Sequence, residues 1–205
     1  MLEFRTLGTV DLQADDGRSL RSVLAHPKRV GLLAFLTAVH PPRPQRRATL
    51  TTLLWPELDD AHARGALRQE LYLLRRSLGD VLVGAGEDTV GVDEERLWCD
   101  ARAFEAALDE DRPARALELY RGDFLPGLHV DGGEFERWVD EMRAHLARRA
   151  AEAARRLAEA CEKEGDLAGA LSWARRLLEV APYDEPAWRD VIRLLDRSGD
   201  RAGAL

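Results

Sequence analysis

Hydrophobic and polar positions fall into two textures along the chain, a mixed one up to about residue 97 and a helical one after it. Leu2, Phe4 and Leu7, then Val10 and Leu12, alternate with polar neighbours. Asp16-Gly17 reads as a turn before Ser19-Leu20-Arg21-Ser22-Val23, so the pattern predicts a short antiparallel sheet. Pro27 suits the first turn of a helix, where its missing N–H costs nothing. Val30, Leu33, Ala34, Leu36 and Thr37 give that helix a buried stripe, and Pro41-Pro42-Arg43-Pro44 stops it at His40. A second, short helix has Thr49 as its cap and Leu50, Leu53, Leu54 and Trp55 as its apolar face, closed by Pro56. A third is capped by Asp59 or Asp60, runs to about Leu78 and stops at Gly79. Val81-Leu82-Val83 and Thr89-Val90-Gly91-Val92 flank Gly84-Ala85-Gly86-Glu87-Asp88, the pattern of a β-hairpin with a glycine-rich tip.

Strands, three helices and a hairpin over residues 1–97 follow the order of a winged-helix DNA-binding domain. The third helix would be the recognition helix and the hairpin the wing. From Leu97 on the texture is helical: short helices between 100 and 121, then the loop Gly122-Asp123-Phe124-Leu125-Pro126-Gly127. A long amphipathic helix follows over 134–162, with Phe135, Trp138, Met142, Leu146, Ala150 and Leu157 as core. Gly165-Asp166-Leu167-Ala168-Gly169-Ala170-Leu171 then recurs as Gly199-Asp200-Arg201-Ala202-Gly203-Ala204-Leu205, at the tetratricopeptide period of 34 residues. Leu171, Ala174, Leu177 and Leu178 form one apolar face. Pro182 ends that helix, and Trp188, Val191, Ile192 and Leu195 form the next face. The expected fold is two domains, an α+β winged helix over 1–97 and an all-α tetratricopeptide-like domain over 98–205. The second repeat stops seven residues in, so this helical domain is expected to be truncated at its C-terminal end.

Charge adds an asymmetry that the net value of −7 conceals. Between Arg18 and Arg76 lie 11 Lys/Arg and 4 Asp/Glu, a local charge of +7 that leaves −14 for the rest. A basic face on an acidic protein fits selective nucleic-acid binding. There is no apolar run of 18 residues and no signal peptide. Cys99 and Cys161 follow no metal spacing and read as buried thiols in a reducing cytosol. The five histidines show no metal spacing, and Gly84-Ala85-Gly86 is not a phosphate loop. The expectation is a cytoplasmic protein with no enzyme activity, no metal, no small-molecule cofactor and no membrane contact.

The third helix carries the candidate chemistry. Leu67, Leu71, Leu74 and Leu78 fall in one narrow arc, and Gly65, Gln69, Tyr72 and Arg76 in the opposite one, flanked by Arg68 and Arg75. Arginine pairs with guanine and glutamine with adenine in the major groove, so Arg68, Gln69, Tyr72 and Arg76 are the candidates for reading bases. Lys28, Arg29, Arg46, Arg47, Arg64 and Arg75 are the candidates for phosphate contacts. Leu73, on the side expected to be exposed, and the acidic tip Glu87-Asp88 work against strong binding. They motivate the alternative of a protein–protein interaction module whose DNA affinity is weakened or lost.

Several stretches together resemble a known family: Leu54-Trp55-Pro56, the run from Ala66 to Gly79, Thr89-Val90-Gly91-Val92, and Leu97-Trp98-Cys99-Asp100 followed by Phe104-Glu105. These are similar to regulators that join a winged helix to a bacterial transcriptional activator domain, including the antibiotic regulatory proteins (SARP family). The run from Leu119 to Gly127 and Glu136-Arg137-Trp138 resemble the start of that family's helical region. The resemblance implies an OmpR-type winged helix that binds direct or inverted promoter repeats in double-stranded DNA as a homodimer and recruits RNA polymerase, with the loop from Pro56 to His62 facing the polymerase. It also implies that an ATPase or repeat domain can follow. Relatives often carry a basic or polar residue where this chain has Leu73.

Overall fold

The computed structural model describes residues 1–38, 43–84, 88–130 and 133–199. His40, Pro41, Pro42, the hairpin-tip residues Ala85, Gly86 and Glu87, and the second repeat copy from Asp200 lie outside them.

The N-terminal sheet has three strands. β1 (Leu2–Arg5) pairs antiparallel with β2 (Asp11–Gln13), with Phe4 opposite Leu12. On its other side it pairs in parallel with β6 (Leu97–Cys99), with Phe4 opposite Cys99. Helical texture was expected from Leu97 on. Instead Leu97 and Cys99 alternate into the core across the free edge of β1, and an extended segment satisfies that edge's backbone groups. The division expected between 97 and 98 therefore runs through a strand. Ser19-Leu20-Arg21-Ser22-Val23, expected to be extended, makes one bridge from Ser19 to Gln13 and then turns into the short helix α1 (Arg21–Leu24). Leu20 and Val23 are both buried, and a helical turn aims residues three apart at the same side.

α2 (Pro27–Ala38) is buried along nearly its whole length. α3 (Arg47–Leu54) begins two residues before Thr49, so Thr49 lies inside the helix and does not cap it. α4 (Asp60–Leu78) is capped by Asp59, whose Oδ1 accepts from the N–H groups of Ala61 and His62 at 3.0 Å each. It ends at Gly79, which takes φ +69°. β4 (Leu82–Val83) and β5 (Thr89–Val92) pair antiparallel as the hairpin pattern requires, and β3 (Gln45–Arg46) adds a third strand against β5.

α5 (Asp100–Asp109), α6 (Pro113–Leu119), α7 (Gly133–Glu164), α8 (Leu167–Val180) and α9 (Glu185–Ser198) make up the rest. Asp166 and Asp184 cap α8 and α9 by accepting from Gly169 N and Ala187 N. The face expected for α9 is rotated. Ala187, Val191, Leu194 and Leu195 are buried, whereas Trp188 and Ile192 are exposed, with the Trp188 indole donating to the Pro182 carbonyl at 2.9 Å.

One continuous core joins the two halves of the chain. Asp100, 4% exposed, accepts from Thr6 N (2.8 Å), Thr6 Oγ1 (2.7 Å), Leu7 N (3.0 Å) and Ala101 N (2.8 Å), tying the end of β1 to the start of α5. Burial pushes its carboxyl above the usual range, against the donors from Leu7 and Thr6. The loop after α6 returns to the same place: Leu7 bridges Phe124, Gly8 N donates to the Asp123 carbonyl and Leu125 N to that of Thr6. Gly8, at φ +76°, has room there only without a side chain, since a Cβ would stand 2.6 Å from the Arg121 carbonyl oxygen. Trp138 of α7 packs against Phe35 of α2, Phe124 and Phe135, with centroids 4.9–5.7 Å apart.

Candidate nucleic-acid interface

α4 is 19 residues, about 28 Å of helix. Its sequence divides it lengthwise. Ala63, Leu67, Leu71, Leu74 and Leu78 are buried, while Arg64, Arg68, Gln69, Tyr72, Arg75 and Arg76 are exposed, Tyr72 at 58%. Leu73 is half-buried and does not project from the exposed face as expected. A Cβ added at Gly65 would meet nothing within 4 Å, so bare backbone is open to approach at the first half of this face. Arg75 and Arg76 lie in the last turn, where the helix dipole favours cations.

Arg64 and Arg68 share a groove with Arg46 and Arg47, a space of about 850 Å³ bounded by α3, α4 and β5. Thr51 and Thr52 of α3 line it as well, as do the carboxylates Asp60 and Asp88. The Arg47 backbone N–H donates to the Asp88 carbonyl at 2.9 Å, which fixes the start of α3 against the hairpin. The Arg47 Nε is buried and has no hydrogen-bond partner among the described residues.

Two expected phosphate ligands are engaged elsewhere. Arg29, only 6% exposed, donates from Nε to Glu70 Oε2 at 2.7 Å and from NH1 to the Ser22 carbonyl at 3.0 Å. It is an interior residue because α2 is enclosed on all sides from Arg29 onward. The unbroken run of apolar and small residues from Val30 to Leu36 was the signal for this. Lys28 pairs with Glu57 at 2.5 Å and lies 5.6 Å from the Trp55 ring centroid, binding the loop after α3 to the start of α2. Its hydrogen bond holds the Glu57 carboxyl below the usual range, as bonds from the His62 backbone and ring do for Asp59.

Ion pairing is sparser on this face than in the helical half. Arg46, Arg47, Arg68, Arg75 and Arg76 have no carboxylate partner among the described residues. In the helical half, arginines such as Arg137, Arg149, Arg156, Arg189 and Arg193 are each neutralised by Asp or Glu. Part of the local positive charge counted in the sequence is thus unpaired at the start of α3 and on α4. Thr51, Thr52 and Asp60 were missed as groove residues. Their signal was the Arg46-Arg47 pair placed at the first turn of a helix whose polar side they share. Among the described residues, no cluster of His, Cys, Asp and Glu could hold a metal ion and no helix is long and apolar enough to cross a membrane.

Residues 91–205 match the family of the bacterial transcriptional activator domain. A solved structure of Mycobacterium tuberculosis EmbR, in complex with a low-affinity phosphopeptide, is similar at a TM-score of 0.67 and 24% identity, over 99% of this chain and 56% of that one. That likeness is one of fold, and this chain spans little more than half of the EmbR chain. No curated protein matches the chain in sequence. With more than half of its length matched, the chain belongs to the bacterial transcriptional activator domain family, whose members are transcription regulators and not enzymes.

Proposed function

We propose that the N-terminal part is an OmpR-type winged helix that binds double-stranded promoter DNA, with α4 in the major groove and the β4–β5 hairpin as wing. The observation that carries this is the two-sided α4: a leucine seam on one face, and on the other arginines without carboxylate partners among the described residues, when most arginines of the helical half are paired. Arg68, Gln69, Tyr72 and Arg76 read bases. Arg46, Arg47 and Arg75 hold the flanking phosphates, and Arg64 joins them by exchanging its exposed 3.8 Å pair with Asp60 for a phosphate. Lys28 and Arg29 leave the contact set because their cations are already bound.

The protein works in the cytoplasm as a homodimer on promoter repeats, with the helical half serving dimerisation or regulation. RNA polymerase is a further partner through the exposed residues 56–62, the loop after α3 and the first turn of α4. The reading needs no small-molecule cofactor. Fluorescence anisotropy with labelled duplex tests it. Four arginines on phosphates predict a slope of log K against log salt of about −3.6. Arg76→Ala or Gln69→Ala should cost about 1–3 kcal/mol on a selected duplex and relax sequence preference. Asp60 and Asp88 in the groove favour the second reading, an interaction module with lost DNA affinity. No binding to any duplex at low salt would decide for that reading.

A further inference from the structure

We propose that the ion pair between buried Arg29 and half-buried Glu70 is a positioning device that fixes the rotation of α4 about its own axis, and so fixes which side chains meet the bases. The inference rests on the DNA-binding reading of α4 and assigns to Arg29 a role in sequence discrimination that needs no contact with DNA.

One guanidinium joins three elements. Arg29 belongs to α2, its Nε donates to Glu70 of α4, and its NH1 donates to the Ser22 carbonyl of α1. Everything else that holds the inner face of α4 is apolar: Ala63, Leu67, Leu71, Leu74 and Leu78. Leucine packing sets the depth of a helix but directs its rotation weakly, because methyl groups exchange neighbours without losing a directional bond. A charged hydrogen bond is directional and is lost when the donor and acceptor move apart.

Glu70 stands beside Gln69 and two residues from Arg68 and Tyr72, so a restraint at 70 acts directly on the reading face. At a radius of about 6 Å, a roll of about 20° moves a side-chain tip by about 2 Å, enough to break a bidentate contact to a base edge. Phosphate contacts tolerate such a roll better, because they depend on field more than on geometry. The Arg29 end of the pair is desolvated, which costs free energy. Replacing a buried ion pair with apolar residues of similar volume is often neutral or stabilising, and the best-attested service of such pairs is specificity of arrangement.

The test uses two duplex samples: one selected from a random library by the wild-type chain, and the unselected pool. Affinity for each is measured alongside the urea midpoint. Arg29→Met/Glu70→Leu is expected to keep the wild-type midpoint, the pool affinity and the salt slope. It should lose tenfold or more of the preference for the selected duplex. Arg29→Lys, which keeps a charge facing Glu70, should retain more of that preference than Arg29→Met. A double variant with the wild-type midpoint and undiminished preference would overturn the proposal. Should the double variant not fold, Glu70→Gln keeps shape and an acceptor without the charge, and a two- to threefold preference loss with unchanged pool affinity is expected. No loss at all overturns the proposal. A wild-type chain that selects no sequence removes the functional reading and this inference together, whereas selection that survives the pair's replacement removes only the inference.

Discussion

Asp100→Ala tests whether the two halves of the chain are one folding unit. The carboxylate accepts from three backbone N–H groups and one hydroxyl, is 4% exposed, and joins residues 6 and 7 to the start of α5. A buried donor left without an acceptor costs about 1–3 kcal/mol. Four such donors would cost more than the fold can lose, but two effects offset part of it. Alanine removes a buried charge, and the vacated space admits water to the freed N–H groups. A net destabilisation of about 3–5 kcal/mol remains. Asp100→Asn keeps one oxygen, sufficient for Thr6 and Ala101, and turns an NH₂ toward the Leu7 N–H, so it should cost about 1–2 kcal/mol. Urea unfolding followed by circular dichroism and by tryptophan fluorescence measures both. The two signals should shift together, since Trp55 lies in the N-terminal half and Trp173 and Trp188 in the helical half. The pH dependence has a definite sign. The folded carboxyl titrates above its unfolded value, so its contribution is fully present below the ordinary carboxylate range and is lost as pH rises through the raised value. Wild type should therefore gain stability relative to Asp100→Asn on acidification through that window. An alanine variant within 1 kcal/mol of wild type, or one whose unfolding splits by probe, would refute the reasoning.

Gly31→Ala would place a Cβ 2.8 Å from the Phe135 ring and displace it from the aromatic cluster around Trp138. The expected loss is about 1–3 kcal/mol, with a shift in tryptophan emission. Glu162 is held below its ordinary range first by the hydrogen bond from Arg193, with Arg197 adding to it. Its support of α9 is present above the ordinary glutamate range and lost as pH falls through the lowered value, so amide exchange in α9 should quicken there before it does in α2. Lys28→Ala should change DNA affinity less than Arg68→Ala, because Lys28 is committed to Glu57 and Trp55, and equal effects in anisotropy titrations would return Lys28 to the contact set.

Most of the helices were legible because their signals are local. Asp59 before α4, Gly79 after it, Pro27 at the start of α2 and Asp166 before α8 each act within one or two turns. What was not legible depends on partners far along the chain. Leu97–Cys99 is a strand because β1 has an open edge 95 residues earlier, and nothing within reach of Leu97 announces that edge. Arg46 pairs with Thr89 for the same reason. Trp188 and Ile192 read as core because they are apolar at helical spacing, and periodicity alone does not tell which of two adjacent stripes faces inward.

The candidate site divides along the same line. The exposed arc of α4 could be read from residue types at a period of 3.6. The state of each cation could not, because pairing is a tertiary property. Lys28 and Arg29 are neighbours in sequence and were assigned one role. In the fold the first is tied to a loop 29 residues away and the second to a helix 41 residues away, and neither keeps a charge to offer a phosphate. Arg46 and Arg47, equally adjacent and equally basic, retain theirs because the groove around them holds two more arginines and only two carboxylates. A count of positive charge therefore overstates the binding surface until each arginine has been matched to its carboxylate. That matching takes Lys28 and Arg29 out of the basic segment between Arg18 and Arg76 and leaves its densest unpaired charge at the start of α3 and on one face of α4.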